Sequence, residues 1–300
     1  MTPFAIAGVQ MRVSAAEHNL PAMIRRLDTL MGLYPWVQMV VFSELAIWGP
    51  IRAKAQRIPG PAEEAFRKMA AKHRIWLIPG SLYEYVGNRV YNTSLVVNPD
   101  GEVVGRYRKM FPFRPYEVGI TPGDQFLVFD VPDVGRFGLS ICYDMWFPET
   151  TRTLAVMGAE VILHPSLTGT VDRDLELTIA RASAATNQCY IFDINGLGDG
   201  GIGRSIVCGP EGAVVHQAGD NEEFIPIEID LDRVRRSRSH GIMRLGQVLK
   251  SFRDRSVEFS IYQPGVRHPF LDELGPLEVP KRNDRKEVPQ DLLNADGLKS

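Results

Sequence analysis

The same order of predicted elements occurs twice in this chain of 300 residues. In each copy, three apolar segments alternate with two amphipathic segments, and a hairpin follows. The apolar segments are residues 4–11, 37–45 and 75–83 in the first copy and residues 137–144, 159–167 and 189–197 in the second. Because strands that alternate with helices form largely parallel sheets covered by helices, the repeat predicts an α/β fold of two similar β-α-β-α-β-β halves.

The amphipathic segments and the hairpin turns support this interpretation. Four helices are predicted at residues 15–33, 61–73, 149–158 and 172–185. The hairpins are predicted at residues 91–107 and 204–217, with NPDG and GPEG as their turns. Two such sheets that face each other form a four-layer α-β-β-α sandwich. We expect a domain over residues 1–270 and a C-terminal extension, a tail or an oligomer arm, over residues 271–300.

The bulk composition excludes several classes of function. The formal net charge is −2, and the three cysteines form no CxxC pair, so neither a nucleic-acid partner nor a disulfide framework is expected. The N-terminus lacks the pattern of a signal peptide, and no segment is long and apolar enough to span a membrane. We expect a soluble, cytoplasmic protein without a metal site. The GLGDGG segment at residues 196–201 is not expected to bind a dinucleotide, because a strand and hairpin are predicted after it.

The strongest chemical candidate is Cys142, which ends a tight apolar segment and precedes a predicted helix. A thiol at such a position is expected to favour the thiolate. Glu44 ends a strand of the other half, and Lys109 lies in a loop rich in proline. A buried carboxylate is suited to deprotonate the thiol, and a lysine ammonium is suited to hold the oxyanion together with the Tyr143 N–H. Glu117 is a second carboxylate that is suited to position a substrate amide or a water molecule.

These motifs resemble those of the nitrilase superfamily of carbon–nitrogen hydrolases. The matching segments are SEL (43–45), YRKMFPF (107–113) and ICYDMWFPE (141–149), within a resemblance that covers roughly residues 5–230. The resemblance implies the α-β-β-α sandwich, a Glu44-Lys109-Cys142 triad, a thioester acyl-enzyme and a further catalytic glutamate at Glu117. It implies no cofactor, and it implies a homodimer or a larger homo-oligomer.

The residues after the cysteine favour one branch of the superfamily. Tyr143-Asp144 is typical of amidases and carbamoylases, whereas nitrilases proper have Trp-Glu there. We therefore expect hydrolysis of a small carboxamide to carboxylate and ammonia. A nitrilase or an N-carbamoyl hydrolase is the alternative, and a binding or scaffolding protein that has lost its activity is the contrasting class.

Substrate contacts are predicted for Tyr143, Trp146, Trp48 and His164. Both tryptophans are candidates to line a pocket for an apolar or aromatic acyl group, and ordinary packing is the alternative. His164 ends a predicted strand, where either a substrate contact or a buried, hydrogen-bonded histidine is consistent with the sequence. Arg173 is a candidate to bind a substrate carboxylate, as in carbamoylases, but we expect a solvated helix arginine.

Overall fold

The computed structural model describes residues 1–279 of the chain. The larger of two compact units contains residues 1–112 and 119–257, and the smaller contains residues 113–118 and the described residues from Glu258 to residue 279. The larger unit contains sixteen strands, which are β1 (Pro3–Gln10), β2 (Arg12–Val13), β3 (Met39–Phe42), β4 (Trp76–Ile78), β5 (Ser81–Val86), β6 (Arg89–Val97), β7 (Val103–Arg108), β8 (Leu127–Val131), β9 (Gly135–Leu139), β10 (Val161–Ser166), β11 (Tyr190–Asn195), β12 (Leu197–Gly198), β13 (Gly201–Ile202), β14 (Ile206–Cys208), β15 (Val214–Gln217) and β16 (Glu223–Asp230).

The helices only partly follow the positions that the repeat predicts. The helices of the larger unit are α1 (Leu20–Leu33), α2 (Pro61–His73), α3 (Pro148–Val156), α4 (Arg173–Asn187), α5 (Leu231–His240) and α6 (Val248–Arg253). The smaller unit contains α7 (Pro269–Glu273) and a 3₁₀ turn at Ser260–Tyr262. Helices α1 to α4 lie where the repeat predicts four helices, whereas α5, α6 and α7 were not predicted. No helix in residues 1–279 is both long and apolar enough to cross a membrane.

The two principal sheets have the same topology at their centres. In the first sheet, β1, β3 and β4 are parallel neighbours, and β6 pairs antiparallel with β4. In the second sheet, β9, β10 and β11 are parallel neighbours, and β14 pairs antiparallel with β11. The internal repeat predicted from the sequence is therefore confirmed as two similar halves.

The sheets pack face to face, with helices on both outer faces. Buried side chains of β1 and β9 meet between the sheets, where the rings of Phe4 and Phe137 lie 5.5 Å apart edge to face. Helices α1 and α2 cover the outer face of the first sheet through residues such as Leu27 and Phe66. Helices α3 and α4 cover the second sheet through residues such as Leu154. The fold is the predicted four-layer α-β-β-α sandwich.

The structure corrects two boundaries of the predicted elements and adds one strand. The third predicted strand is interrupted at Gly80, where φ is +77° and a Cβ would lie 1.8 Å from the Ser43 carbonyl oxygen. The chain therefore turns there and continues as β5, which pairs antiparallel with β6. Helix α1 begins at Leu20 rather than Ala15, because the Asn19 side chain bonds the backbone N–H and carbonyl of Ser14. Strand β16 was not predicted. It pairs antiparallel with β1 and forms an edge of the first sheet.

The predicted domain boundary at residue 270 stays a prediction. The larger compact unit ends at Val257, before that boundary. Of the expected extension at residues 271–300, the part from residue 280 onwards lies outside the described residues.

Candidate active site

Glu44 lies two residues beyond the carboxyl end of β3 and is 3% exposed. Its backbone N–H donates to the Ser166 carbonyl of β10, 3.2 Å away, which links the two sheets at this point. Its side-chain Oε1 accepts hydrogen bonds from the Asn92 amide and the Lys109 ammonium, both at 2.8 Å. The carboxylate therefore lies where the two halves meet, as the sequence predicts.

Lys109 follows directly on β7 and is 1% exposed. Its backbone N–H donates to the Asn92 carbonyl, and its own carbonyl accepts from the Gly123 N–H, each at 2.8 Å. These two bonds fix the backbone on both sides of the ammonium. The result is a buried ion pair with Glu44, in which the Nζ–Oε1 distance is 2.8 Å.

Cys142 follows β9 and begins a 3₁₀ turn that ends at Trp146. Its φ is +46°, a left-handed conformation that side chains other than glycine rarely adopt. Its Sγ lies 3.7 Å from the Thr168 hydroxyl oxygen. Strained backbone conformations of this kind cluster at functional sites.

The electrostatics of Cys142 connect it to the ion pair. Burial raises the pKa of the thiol well above its ordinary value, and the Glu44 carboxylate raises it further. The Lys109 ammonium opposes this and lowers the thiol pKa. This direction opposes the expectation that the position favours the thiolate, because desolvation and the nearby carboxylates outweigh the one ammonium. A base is needed to remove the proton, and Glu44 is the adjacent carboxylate.

Asp144 holds the cysteine turn and the lysine loop together. Its Oδ2 accepts from the Ile141 N–H at 2.9 Å and from the Tyr107 hydroxyl at 2.6 Å. Its Oδ1 accepts from the Phe111 N–H at 2.8 Å. Burial raises the pKa of the Asp144 carboxyl to about 6, although these hydrogen bonds lower it. Asp144 was identified from the sequence only as a mark of the family branch.

His164 is buried beneath the cysteine. One ring nitrogen lies 2.7 Å from the Ser140 hydroxyl, and the ring also makes a backbone hydrogen bond with Cys142. Burial lowers the pKa of the imidazole to about 3. The geometry corresponds to the buried, hydrogen-bonded histidine that the sequence analysis gave as the alternative to a substrate contact.

The predicted aromatic residues divide into two groups. Tyr143 and Trp146 are half-buried beside Cys142 and pack against each other, and Tyr143 also contacts Phe147 edge to face. Trp48 instead stacks on His18 at 3.8 Å and packs with the cluster between the first sheet and its helices. The contacts of Trp48 are those of ordinary packing.

Glu117 belongs to the smaller compact unit. Its carboxylate accepts from the Phe113 N–H at 2.6 Å, and its own N–H donates to the Phe113 carbonyl at 2.8 Å. These bonds close a tight turn. Its catalytic role stays a prediction.

Arg173 is not the solvated arginine that was expected, because it is 0% exposed. Its guanidinium pairs with Glu176 at 3.0 Å and with Asp193 at 2.8 Å. Glu176 in turn accepts from the Thr168 hydroxyl at 3.0 Å, and its carboxylate raises the pKa of the Cys142 thiol. The sequence analysis did not predict this group of buried charges. Asp193, an acidic residue within the apolar segment CYIFDINGL, was a visible sign that a buried cation lies nearby.

Known proteins share both the sequence and the fold. The human omega-amidase NIT2 is 29% identical over 257 residues, which cover 78% of this chain and 91% of that protein. The crystal structure of Nit3 from Saccharomyces cerevisiae, a member of branch 10 of the nitrilase superfamily, has a TM-score of 0.72 at 28% identity and covers 79% of this chain and 94% of its own. A carbon-nitrogen hydrolase from Helicobacter pylori has a TM-score of 0.75 at 26% identity, with 86% and 97% covered.

The family assignment follows from the match over most of the chain. The sequence model of the carbon-nitrogen hydrolase family matches residues 5–239. This range contains Glu44, Lys109 and Cys142 and both sheets of the sandwich. The chain therefore belongs to the carbon-nitrogen hydrolase family of the nitrilase superfamily.

Proposed function

We propose that this protein is an amidase that converts a small carboxamide and water to a carboxylate and ammonia through a thioester on Cys142. The observation that carries the proposal is the buried Glu44–Lys109 ion pair, whose two charges both act on the Cys142 thiol. A carboxylate, an ammonium and a thiol are the base, the oxyanion partner and the nucleophile that acyl transfer requires. The similarity to proteins named omega-amidases supports the same reaction class.

The first half of the reaction forms the acyl-enzyme. Glu44 accepts the thiol proton as Sγ attacks the amide carbon, and the C=O π electrons move to the oxygen. The Lys109 ammonium and the Tyr143 backbone N–H stabilise this oxyanion. The tetrahedral intermediate collapses, the C–N bond breaks, and the leaving amine takes the proton from Glu44 and departs as ammonia.

The second half of the reaction regenerates the thiol. Glu44 removes a proton from a water molecule, whose oxygen attacks the thioester carbon. Collapse of the second tetrahedral intermediate breaks the C–S bond, releases the carboxylic acid, and returns the proton to the sulfur. We propose that Glu117 orients the substrate amide or this water.

A nitrile and an N-carbamoyl amide are the alternative substrates. Tyr143-Asp144 supports the amide, and the two carboxylate oxygens of Asp144 are occupied by the lysine loop and the cysteine turn.

We also propose, from the family resemblance, that the protein assembles into a homodimer or larger homo-oligomer, which light scattering on the purified protein would measure.

The deciding experiment measures ammonia release from short aliphatic amides, arylacetic amides, N-carbamoyl amides and matched nitriles. The wild type is compared with Cys142→Ala and with the matched control Cys189→Ala, which removes a buried thiol outside the site. We expect release from amides that disappears in Cys142→Ala and persists in Cys189→Ala. Release from nitriles alone would exclude the amidase branch. No release from any compound, together with an unreactive Cys142 thiol, would favour a scaffolding protein.

A further inference from the structure

Glu176 is a further carboxylate that lies close to Cys142, the candidate nucleophile. Glu176 is in the first turn of α4 and is 7% exposed. Its Oε1 accepts from the Thr168 hydroxyl at 3.0 Å, and that hydroxyl oxygen is 3.7 Å from the Cys142 sulfur. One hydroxyl group therefore separates the carboxylate from the sulfur on which the acyl group would be carried.

The negative charge of Glu176 is only partly neutralised. Its Oε2 is paired with the Arg173 guanidinium, but the same nitrogen of Arg173 also donates to Asp193 at 2.8 Å. Two buried carboxylates thus share one cation, and the Glu44–Lys109 pair adds no net positive charge. His164 is held neutral by its low pKa, so it adds none either. The group around the sulfur has an excess of negative charge, and after burial, which is the largest cause, the Glu44 and Glu176 carboxylates also raise the pKa of the thiol.

The aromatic residues beside Cys142 also suit a positively charged group. The Trp146 indole N–H points at Glu176, with a distance of 3.4 Å from Nε1 to Oε1, and Trp146 packs against Tyr143. Both rings are half-buried. Aromatic faces attract cations, so a partly exposed aromatic wall next to a buried carboxylate is suited to an ammonium group.

We propose that Glu176 determines the charge preference of the acyl site, so that amides with an ammonium group in the acyl part react faster than neutral amides, and amides with a second carboxylate react slowest. The inference rests on the proposed amidase function and specifies its substrate class. In a desolvated site, a like charge on the substrate is repelled far more strongly than in water, which makes one buried carboxylate sufficient for discrimination.

The first test compares kcat/KM for three amides of equal length, whose far ends carry an ammonium, a methyl and a carboxylate group. We expect the wild type to prefer the ammonium over the carboxylate compound by more than about tenfold. Glu176→Gln keeps the acceptor oxygen for Thr168 and removes the charge, so it should reduce this ratio severalfold. Glu64→Gln, an exposed glutamate on α2, should leave the ratio unchanged. Equal rates for the three amides, or a faster carboxylate compound, would overturn the proposal.

The second test does not depend on amide turnover. Cationic and anionic methanethiosulfonates modify a thiol by forming a mixed disulfide and releasing methanesulfinate, and each rate is divided by the rate with a free small thiol. Cys142→Ala corrects for reaction at the other two cysteines. We expect the cationic reagent to react at least several-fold faster with the wild type, and Glu176→Gln to diminish the difference. An equal rate for both reagents would refute the role of Glu176.

The two tests separate the two proposals. Neutral amides that are hydrolysed without any charge preference would overturn the role of Glu176 and leave the amidase intact. A charge preference in thiol modification without hydrolysis of any amide would support the anionic site and overturn the amidase. Circular dichroism and urea unfolding of Glu176→Gln verify that the variant is folded, and the wild-type comparison requires no variant.

Discussion

Replacing Asp144 by Asn should change how the stability of the protein depends on pH. The Asp144 carboxylate is fully buried and joins Tyr107, Phe111 and Ile141, and burial raises the pKa of its carboxyl from 3.8 to about 6. Between these two pH values, the unfolded chain releases the proton while the folded protein retains it. The free energy of unfolding of the wild type therefore falls as the pH rises through this window and levels off above it.

The size of the effect follows from the two pKa values. A difference of about two pKa units corresponds to a total of about 3 kcal/mol, of which about 2 kcal/mol falls between pH 4.5 and pH 7. A side-chain amide does not ionise in this range, so the Asp144→Asn variant lacks this contribution. The variant also loses one hydrogen-bond acceptor, at a cost of about 1–3 kcal/mol that does not depend on pH.

The assay is equilibrium urea unfolding of both proteins at fixed protein concentration across this pH range. The difference in free energy of unfolding, wild type minus variant, should decrease by about 2 kcal/mol from pH 4.5 to pH 7. The control is Asp130→Asn, which removes an exposed carboxylate whose pKa is lowered from 3.8 by Arg136, so the difference between wild type and this variant should stay nearly constant from pH 4.5 to pH 7. A wild type that gains stability over Asp144→Asn as the pH rises would show that the carboxylate is stabilised in its ionised form.

Three further predictions concern other buried ionisable residues near Cys142. Lys109→Met should lower the free energy of unfolding by about 3–5 kcal/mol, because the buried Glu44 carboxylate loses its ammonium, and alkylation of Cys142 should require a higher pH. The ring proton signals of His164 should not shift between pH 5 and pH 8, and an NMR titration midpoint in that range would contradict its burial as a neutral ring. Arg173→Met should destabilise the protein by about 3–5 kcal/mol in urea unfolding, whereas Arg136→Met, at an exposed ion pair, should have little effect.

The fold was predictable because the same order of apolar and amphipathic segments occurs twice in the sequence. Each apolar segment is short and β-prone, and Pro61 marks the start of α2 at the residue that the structure shows. Strand β16 was missed because Pro226 interrupts its pattern, and a proline is tolerated there only because the strand lies at the edge of the sheet. The early end of the third predicted strand depends on the close approach of Gly80 to Ser43, which is a tertiary contact.

The buried ion pair of Arg173 and Glu176 was harder to predict than Cys142 and Lys109. Cys142 and Lys109 lie beside recognisable motifs, whereas Arg173 and Glu176 have the spacing of an ordinary surface ion pair on a helix. Only the packing of α4 against the second sheet shows that this face is buried. Asp193, an acidic residue within an apolar strand, was the one sign in the sequence that a buried cation had to be nearby.

The conformation of the site is maintained by contacts between the two halves. Cys142 and Leu45, the residue after Glu44, both have positive φ, at +46° and +51°, and such conformations cost about 1–3 kcal/mol each. The Glu44 N–H is bonded to β10 of the opposite sheet, and the Asp144 carboxylate holds the loop that follows β7. Because these bonds exist only when the sheets are packed, Cys142, Glu44 and Lys109 are brought together by the core between the sheets.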